Sequence, residues 1–315
     1  MKKTDTAPLY GVGNVLKRKN IARHYKNWRL HLMLLPAVLT ALIFSYAPMP
    51  GIVMAFQNFK PWLGIQGSEW VGLDNFRLIF TMKDSVQVIW NTLSISVLKI
   101  FFGLTVPVTF ALLLNEVRAM KLKRSIQTMV YLPHFMSWVI LGGILLDLLS
   151  LDGLVNRALT FLHLQPILFL GDGFWFRVTV IVSDQWKEFG FSAIVFLAAL
   201  AGINPDLYEA SEIDGAGRWK QTLHITLPSL LPIMSVVFTL SLGNILNANF
   251  DQIYNLINPL VLQQGDIIDT YVFRNFQGGQ YSLAAAVGLF KSAVGFILIS
   301  GGYYCAYKWT DYRVF

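Results

Sequence analysis

Six long apolar segments dominate this sequence and limit the folds that it can adopt. They cover residues 30–56, 86–114, 128–149, 175–201, 224–250 and 283–307. An α-helix needs about 20 apolar residues to cross the hydrocarbon core of a bilayer, and each segment is long enough. Only 14% of the 315 residues are charged, against about 25% in soluble domains. The sequence therefore predicts an all-α, polytopic membrane protein, with one transmembrane domain (30–315) after a basic arm (1–29).

The basic residues indicate how the chain crosses the membrane. With the N-terminus placed in the cytoplasm, sixteen Lys and Arg fall in inside segments and five in outside loops. Such an excess on one side is typical of cytoplasmic loops, so both termini are expected in the cytoplasm. The net charge of +7 thus reports membrane topology, and no nucleic-acid partner is expected. The first apolar segment is too long for a signal peptide and is expected to remain as a helix.

Proline and small residues predict two local features of the spans. Pro48 and Gly51 lie in the outer half of the first segment, which is expected to be kinked or unwound. Ala284, Gly288 and Ser292 recur every four residues on the last segment. Small residues at this spacing allow helices to approach closely in lipid, so they predict a seam within the chain or with another subunit.

The most informative stretch, 204–228, joins the fourth and fifth spans on the cytoplasmic side. Asn204 is a good helix N-cap, Pro205 suits the first helical position, and an early Asp suits the positive helix end. A short helix should therefore begin here, until Gly215 allows a sharp reversal of the chain. A second short helix is expected to lead into the fifth span. We call this helix–turn–helix segment the elbow, and a force on it would reach both spans.

The elbow carries a family resemblance. Glu209, Ala210 and Ser211, then Gly215, then Ile225, Leu227 and Pro228 resemble the EAA loop of permeases in binding-protein-dependent ABC importers. The family pattern is E-A-A-x3-G-x9-I-x-L-P, and only Ser211 departs from it, replacing a second alanine. The resemblance implies a type I importer permease fold and a loop that docks into a cleft on a cytoplasmic ATPase. The ATPase-coupling residues would be Glu209, Ala210, Ser211, Asp214, Gly215, Ile225, Leu227 and Pro228. An ordinary surface helix between two spans is the alternative.

Flanking motifs are similar to those of sugar permeases, in particular oligosaccharide permeases related to the maltose and alginate importers. The motifs are Val71-Gly72-Leu73-Asp74-Asn75-Phe76, Asn91-Thr92-Leu93, Tyr131-Leu132-Pro133, Ser137-Trp138, Phe250-Asp251-Gln252-Ile253, Asp269-Thr270-Tyr271 and Gly288-Leu289-Phe290-Lys291-Ser292. By this resemblance the chain is a permease that translocates an oligosaccharide delivered by an extracellular or periplasmic solute-binding protein. A permease for peptides or amino acids is the alternative within the class.

The resemblance also implies partners in a bacterial cytoplasmic (inner) membrane. The sequence has no ATP-binding P-loop, so this chain is not expected to be an enzyme or to bind a cofactor. ATP and Mg²⁺ would bind a separate ABC ATPase dimer. Six spans with one elbow make half of the usual pore, which implies a second permease subunit. Unlike pairs are common in this family, so a heterodimer is favoured.

Ionisable and amide side chains at membrane depth are functional candidates because they are costly there and face protein or water. The candidates for lining a substrate path are Asp184, Trp186, Lys187, Glu188, Asn244, Asn247 and Lys291. Trp186 would offer a stacking face to a sugar ring. In the alternative interpretation these charges pair with one another, Asp184 with Lys187 or Lys291 with Asp184 or Glu188. The matching depths of Lys291 and Asp184 lead to the hypothesis that Lys291 neutralises one of these carboxylates.

Two other functional classes receive less support. Charges within the spans could serve an ion-coupled secondary transporter, but such proteins contain inverted repeats, and we find none in the sequence. An intramembrane hydrolase would need a Ser/His pair, paired aspartates or an H-E-x-x-H motif within the spans. None is present, so neither catalytic nor metal-binding residues are assigned. The single cysteine, Cys305, permits no internal disulfide.

Overall fold

A computed structural model describes residues 28–310 of the chain, without the side chains of residue 29 and residues 302–310. The predicted arm, 1–29, lies almost wholly outside the described residues, as does the side chain of Cys305. The α-helices, in chain order, are α1 (Trp28–Ala41), α2 (Gly64–Gly67), α3 (Asp74–Thr81), α4 (Lys83–Asn115), α5 (Met120–Tyr131), α6 (Trp138–Leu149), α7 (Leu154–Phe161), α8 (Gly173–Ala201), α9 (Pro205–Ile213), α10 (Arg218–Gln221), α11 (Leu227–Leu242), α12 (Phe250–Leu256), α13 (Leu262–Gly265), α14 (Ile268–Gln277) and α15 (Tyr281–Thr310). The two short strands are β1 (Gln57–Asn58) and β2 (Glu69–Trp70). The predicted all-α class is confirmed.

Five helical stretches are long and apolar enough to cross a membrane. They are Leu30–Phe56, Lys83–Asn115, Trp138–Phe161, Arg218–Leu242 and Tyr281–Gly301. The remaining predicted span, the fourth (175–201), corresponds to α8, which meets the same test only together with α9, beyond a bend of 67°. Four ionisable residues make α8 less apolar than the other spans, namely Arg177, Asp184, Lys187 and Glu188.

The first span is irregular in its second half, where the sequence predicted a kinked or unwound stretch. Of the described residues, 28–53 form a unit of their own. Helix α1 contains Pro36 and is followed by a π-helical turn, Leu42–Tyr46, and then by a 3₁₀ segment, Met49–Phe56. Proline removes a backbone donor and cannot continue the regular α-helical ladder, which explains the change after Tyr46.

A small hairpin lies near the beginning of the second unit. Gln57 pairs with Trp70 and Asn58 with Glu69 in an antiparallel ladder. The buried side chain of Asn75 donates to the carbonyls of Ala55 and Gln57, at 2.9 and 3.0 Å. The predicted motif at residues 71–76 therefore has a structural role, because its asparagine ties α3 to the hairpin.

Helices α4 and α8 pack along one another and form the centre of the second unit. At one end of this pair the buried core consists of Val108, Ala111, Ala193, Phe196, Leu200 and Leu230. At the other end a second core contains Ile95, Phe176, Val180, Ala248, Ile253, Leu256, Val261 and Ile267. Polar side chains of α4 and α8 lie between these two cores, so the helix pair both supports the unit and carries the site described below.

The third predicted span, 128–149, is broken, and the single helix predicted there is wrong. Helix α5 ends at Tyr131, a 3₁₀ turn covers Leu132–Phe135, and α6 begins at Trp138. Pro133 cannot donate a backbone hydrogen bond, and Ser137 caps the new helix by accepting from the amide of Ile140 at 3.3 Å. Because the residues around the break remain apolar, hydropathy alone does not reveal it.

The fifth predicted span, 224–250, ends earlier than predicted. Helix α11 stops at Leu242, and residues 243–249 run as turns before α12 begins at Phe250. Asn249 caps α12 with φ +72° and ψ 89°, a left-handed conformation that is uncommon outside glycine. Gly243 and three asparagines favour turns over helix, which explains why an apolar stretch unwinds here.

Buried polar contacts fix two of the segments that connect the long helices. Asn156 is 1% exposed, and its side chain bonds the carbonyls of Ser150 and Ile167 and the amide of Ile167, at 2.7 to 2.9 Å. Arg177 of α8 donates to the carbonyl of Gln264 at 2.8 Å and to Asn91 of α4 at 2.6 Å. These side chains hold the loops to the ends of the spans.

The predicted small-residue face on α15 is only partly covered by this chain. Ala284 is buried, at 3% exposure, whereas a Cβ added at Gly288 would meet no atom within 4 Å among the described residues. Ser292 is exposed and donates to the carbonyl of Gly288 at 3.0 Å. The described chain therefore does not form a close helix–helix seam at Gly288.

Candidate functional site

A polar cavity of about 670 Å³ lies between α4, α8, α11 and the unwound segment 243–249. Helices α4 and α8 contribute one wall, and α11 together with the residues that follow it contributes the other. The lining residues are Ser96, Lys99, Ile100, Gly103, Asp184, Glu188, Ser192, Val237, Ser241, Asn244, Asn247, Asn249, Phe250 and Asp251. Most of them bear a hydroxyl, amide or charged group, although the surrounding spans are apolar. The size lies within the range of typical ligand pockets, about 300–1,000 Å³.

Four of the seven predicted path residues meet at this cavity, namely Asp184, Glu188, Asn244 and Asn247. Trp186, Lys187 and Lys291 do not line it. Trp186 instead borders an apolar pocket of about 230 Å³ with side chains such as Leu145, Leu149 and Phe169. Residues 184 and 186 are two positions apart, and their directions on a helix differ by about 200°, so both cannot face one cavity.

The predicted pairing of Lys291 with Asp184 or Glu188 is wrong. Lys291 lies 2.5 Å from Asp269 of α14, and Asp184 lies 2.9 Å from Lys99 of α4. The alternative pairing of Asp184 with Lys187 is wrong as well, because Lys187 contacts its neighbour Glu188 at 2.9 Å. Matching depths place two groups in the same layer of the membrane, but helix rotation decides which groups meet.

Lys187 and Glu188 hold the break between α5 and α6. Lys187 donates to the carbonyl of His134 at 2.8 Å, and Nδ1 of His134 lies 2.7 Å from Oε2 of Glu188. The imidazole of His134 stacks on Phe191, with centroids 4.0 Å apart and planes within 2°. Both oxygens of Glu188 are engaged in this way, so its carboxylate has a structural role even though it borders the cavity.

The sequence interpretation missed several cavity residues. They are Ser96, Lys99, Ser192, Ser241, Asn249 and Asp251. Lys99 was detectable as an ionisable residue at membrane depth, but nothing in the sequence indicates which way it faces. Ser96 is 2% exposed, and its Oγ has no hydrogen-bond partner among the described residues. Asn249 was assigned to the end of a continuous helix, and Asp251 to the segment that follows the predicted span, which concealed their position in the cavity wall.

The elbow has the local geometry that its sequence predicts. Asn204 accepts from the amide of Asp206 at 3.1 Å, and Pro205 begins α9. Gly215 has φ +76°, and the amides of Gly215 and Ala216 donate to the carbonyls of Glu212 and Ser211, at 3.0 and 2.9 Å. This pair of bonds is a Schellman motif, which ends α9 by reversing the chain at a left-handed residue.

Hydrogen bonds connect the two arms of the elbow. Oγ of Ser211 donates to the carbonyl of Tyr208 at 2.8 Å and accepts from the side chain of Gln221 at 2.9 Å. The hydroxyls of Tyr208 and Thr226 lie 2.9 Å apart. Ser211, the one departure from the family pattern, thus provides a contact that an alanine could not make.

Much of the surface of the elbow is exposed to solvent, and part of this exposed surface is apolar. Glu209, Ala210, Asp214, Gly215 and Pro228 are exposed, whereas Ser211, Ile225 and Leu227 are half-buried. Two large apolar side chains join this surface, Ile213 at 88% exposure and Trp219 at 74%. Exposed apolar groups of this size beside charges are typical of protein–protein contacts.

Comparisons with known proteins identify the family. Residues 100–305 match the family described as "Binding-protein-dependent transport system inner membrane component". Protein LplB of Bacillus subtilis (strain 168) is 43% identical over 288 residues, covering 91% of each chain. The polygalacturonan/rhamnogalacturonan transport system permease protein YteP of the same strain is 44% identical over 272 residues, covering 86% of this chain and 85% of that protein.

Solved structures give the same result. A chain in the crystal structure of a bacterial ABC transporter involved in the import of the acidic polysaccharide alginate matches with a TM-score of 0.85 and 38% identity, covering 93% of this chain and 99% of that one. A second crystal structure contains the bacterial alginate ABC transporter in complex with an alginate pentasaccharide-bound periplasmic protein, and matches with a TM-score of 0.84.

These findings confirm the resemblance drawn from the elbow and the type I permease fold. The matched region, 100–305, includes both the elbow and the residues of the cavity except Ser96 and Lys99. An ion-coupled secondary transporter is therefore not supported. The chain belongs to the family of inner-membrane components of binding-protein-dependent transport systems, the multi-pass permeases of ABC importers.

Proposed function

We propose that this chain is one permease subunit of an ATP-driven importer of oligosaccharides, and that the polar cavity holds the sugar during its passage. The relatives support a carbohydrate cargo, since YteP is a polygalacturonan/rhamnogalacturonan permease and the solved transporter imports alginate. The cavity supports it as well, because its free acceptors and amides suit the hydroxyl groups of a sugar. Asn244 and Asn247 are exposed to the cavity, and Asp251 has no ion-pair partner among the described residues.

The observation that carries this proposal is the continuity of α8 between the cavity and the elbow. Asp184, Glu188 and Ser192 line the cavity, and the same helix continues to Ala201, three residues before the cap of α9. At about 1.5 Å per residue, Ala201 lies about 20 Å along the axis from Glu188. A displacement of the elbow would therefore be transmitted through a rigid helix to the cavity wall.

The partners follow from this arrangement. The exposed surface around Glu209 and Gly215 would dock into a cytoplasmic ABC ATPase dimer, which binds ATP and Mg²⁺. A second, unlike permease would complete the pore, and a solute-binding protein would deliver the sugar at the outer face. With the elbow docked on a cytoplasmic ATPase, the topology drawn from the sequence would put both termini in the cytoplasm as well.

The central experiment is reconstitution of the importer. The tagged chain is extracted gently from its host, co-purifying subunits are identified, and the complex is placed in proteoliposomes with its solute-binding protein. ATP hydrolysis is then measured with a panel of neutral and acidic oligosaccharides and with a peptide mixture as control. We expect stimulation by an oligosaccharide and accumulation of that sugar in the vesicles. Stimulation by peptides alone, or no co-purifying ATPase, would reject the proposal.

A matched pair of variants tests the docking surface. Glu209→Lys reverses a charge on the exposed face of the elbow, and Glu69→Lys makes the same change on the exposed outer hairpin. We expect Glu209→Lys to abolish co-purification of the ATPase, whereas Glu69→Lys retains it. Equal retention of the ATPase by both variants would show that the elbow does not dock there.

A further inference from the structure

The ammonium group of Lys99 joins three separate elements at the cavity. Its Nζ donates to Oδ1 of Asp184 at 2.9 Å, to the carbonyl of Ala248 at 3.0 Å and to Oε1 of Gln252. These acceptors belong to α8, to the unwound segment 243–249 and to α12. An ammonium group has three N–H donors, so this network uses all of them and leaves none for a cargo molecule.

Burial makes this network costly to disturb. The side chain of Lys99 is 9% exposed and that of Asp184 is 14% exposed. A buried charge is tolerated when it is paired and hydrogen-bonded, and removing one partner leaves the other uncompensated. The lysine therefore has to be replaced together with its carboxylate if its two effects, neutralisation and positioning, are to be separated.

Gln252 has its orientation fixed by a second set of contacts. Its Nε2 donates to the carbonyl of Val180 at 2.7 Å and to Oγ of Ser183 at 2.8 Å. Because the amide nitrogen faces these two acceptors, the amide oxygen has to face Lys99. The glutamine is fully buried, and it connects the lysine to α8 through a route that does not involve Asp184.

The segment that these contacts hold is irregular, and it is also anchored by the buried side chain of Leu246 and by Asn249, which accepts from the amide of Gln252 at 3.3 Å. Residues 243–249 lie outside any helix, and Asn249 adopts a strained left-handed conformation, φ +72°. Strained backbone persists only where its surroundings enforce it. Ala248, whose carbonyl accepts from Lys99, is completely buried between α4, α8 and α12. Its neighbour Asn247 is exposed to the cavity.

We propose that Lys99 is a positioning residue of the transport cavity, which holds segment 243–249 so that Asn244 and Asn247 face the cargo. It acts through the carbonyl of Ala248 and through Gln252, and it does not donate to the cargo itself. The proposal rests on the proposed function in one respect, namely that the cavity holds the sugar. The position of the segment can be tested without that assumption.

The first test reads the segment directly. In a Cys305→Ser background, Asn247→Cys places a single thiol at the cavity wall, and its rate of reaction with a small water-soluble maleimide is measured in the purified full chain. The variants compared are wild-type Lys99, Lys99→Met and the double variant Lys99→Met/Asp184→Asn. We expect the labelling rate to change by about tenfold in both variants, the effect of losing one hydrogen bond to a charged group. An unchanged rate in the double variant would overturn the proposal.

The double variant separates positioning from charge neutralisation. If Lys99 only neutralises Asp184, the double variant restores wild-type labelling, because the neutral amide introduced by Asp184→Asn needs no counter-charge. If Lys99 positions the segment, the double variant restores the yield of monodisperse protein but not the labelling rate. Should Lys99→Met alone fail to fold, the double variant still gives the answer.

The second test uses transport. In the reconstituted complex we expect the double variant to raise the sugar concentration for half-maximal ATPase stimulation by about tenfold. The matched control removes another half-buried ion pair, Lys291→Met/Asp269→Asn, which does not line the cavity. It is expected to leave the half-maximal concentration unchanged. Equal effects of the two double variants would overturn the proposal, whereas absence of stimulation by any sugar in the wild type would reject the proposed function instead.

Discussion

The contact between α8 and α5 gives a sharp prediction about stability. Gly190 of α8 lies directly against Val130 of α5. A Cβ added at Gly190 would meet the carbonyl oxygen of Val130 and would lie 2.9 Å from its carbonyl carbon, about 0.5 Å inside the ordinary contact distance of 3.4 Å. The obstacle is helical backbone, which cannot rotate away as a side chain can. We therefore expect Gly190→Ala to destabilise the fold.

The magnitude follows from a comparison with Gly143→Ala in α6, where an added Cβ meets no atom within 4 Å among the described residues. Both substitutions gain the same helix propensity, about 1 kcal/mol. The difference between their changes in the free energy of unfolding therefore isolates the cost of the steric clash. We place this cost near the upper end of the range for overpacking, about 3 kcal/mol.

The assay is the temperature at which half of the detergent-solubilised protein remains monodisperse in size-exclusion chromatography. We expect the midpoint of Gly190→Ala to lie at least about 5 °C below that of Gly143→Ala. Equal midpoints would show that α5 moves away from α8 at no cost, which would refute the close packing described for this pair.

Three further substitutions test other contacts. Ser211→Ala restores the residue of the family pattern but removes the hydrogen bond to Gln221. Losing about 1 kcal/mol of stabilisation should accelerate amide hydrogen exchange around Gly215 about fivefold. Unchanged exchange would exclude a role for that bond. Gly215→Val places a β-branched residue at φ +76°, which costs about 1–3 kcal/mol of conformational free energy, and should weaken co-purification of the ATPase. Gly215→Asn should retain the ATPase. Equal retention by both variants would argue against the left-handed turn. Asn156→Ala leaves the amide and carbonyl of Ile167 without their side-chain partner and should make segment 150–172 several-fold more sensitive to protease, while an unchanged cleavage rate would contradict its structural role.

The sequence predicted the elbow in detail because its signals are local. Asn204 and Pro205 start a helix by capping chemistry, and Gly215 ends it through a conformation that other residues rarely adopt. Each effect acts within a few residues of its cause. The same holds for the irregular first span, where proline acts on its own helix.

The third and fifth spans were predicted with wrong boundaries for a physical reason. Hydropathy measures whether a segment can stay in the membrane, and it does not measure whether the backbone is helical. The backbone is not α-helical at residues 132–137 and 243–249. In these two stretches, His134 and Ala248 contact residues of spans that are distant in the sequence. Irregular backbone is tolerated at this depth because those spans satisfy its polar groups.

The cavity was only half predicted because its geometry depends on helix rotation. Counting residues gave the depth of Asp184, but it could not distinguish Lys99 from Lys291 as its partner. It also grouped Trp186 with Asp184, although they face different surroundings. The depth of a residue follows from its own helix alone, whereas the direction in which its side chain points depends on how all the helices pack together.

The position at which Lys99 contacts α8 has a consequence for how this helix can move. Asp184 lies near the middle of the helix, eleven residues after Gly173 and seventeen before Ala201, about 17 and 26 Å from the two ends. A rigid helix that pivots near its middle moves in opposite directions at its two ends, so an inward displacement of one end requires an outward displacement of the other. Spin labels at the two ends, each measured against α4, should report distance changes of opposite sign during the ATP cycle. Changes of the same sign would mean that the helix slides as a whole.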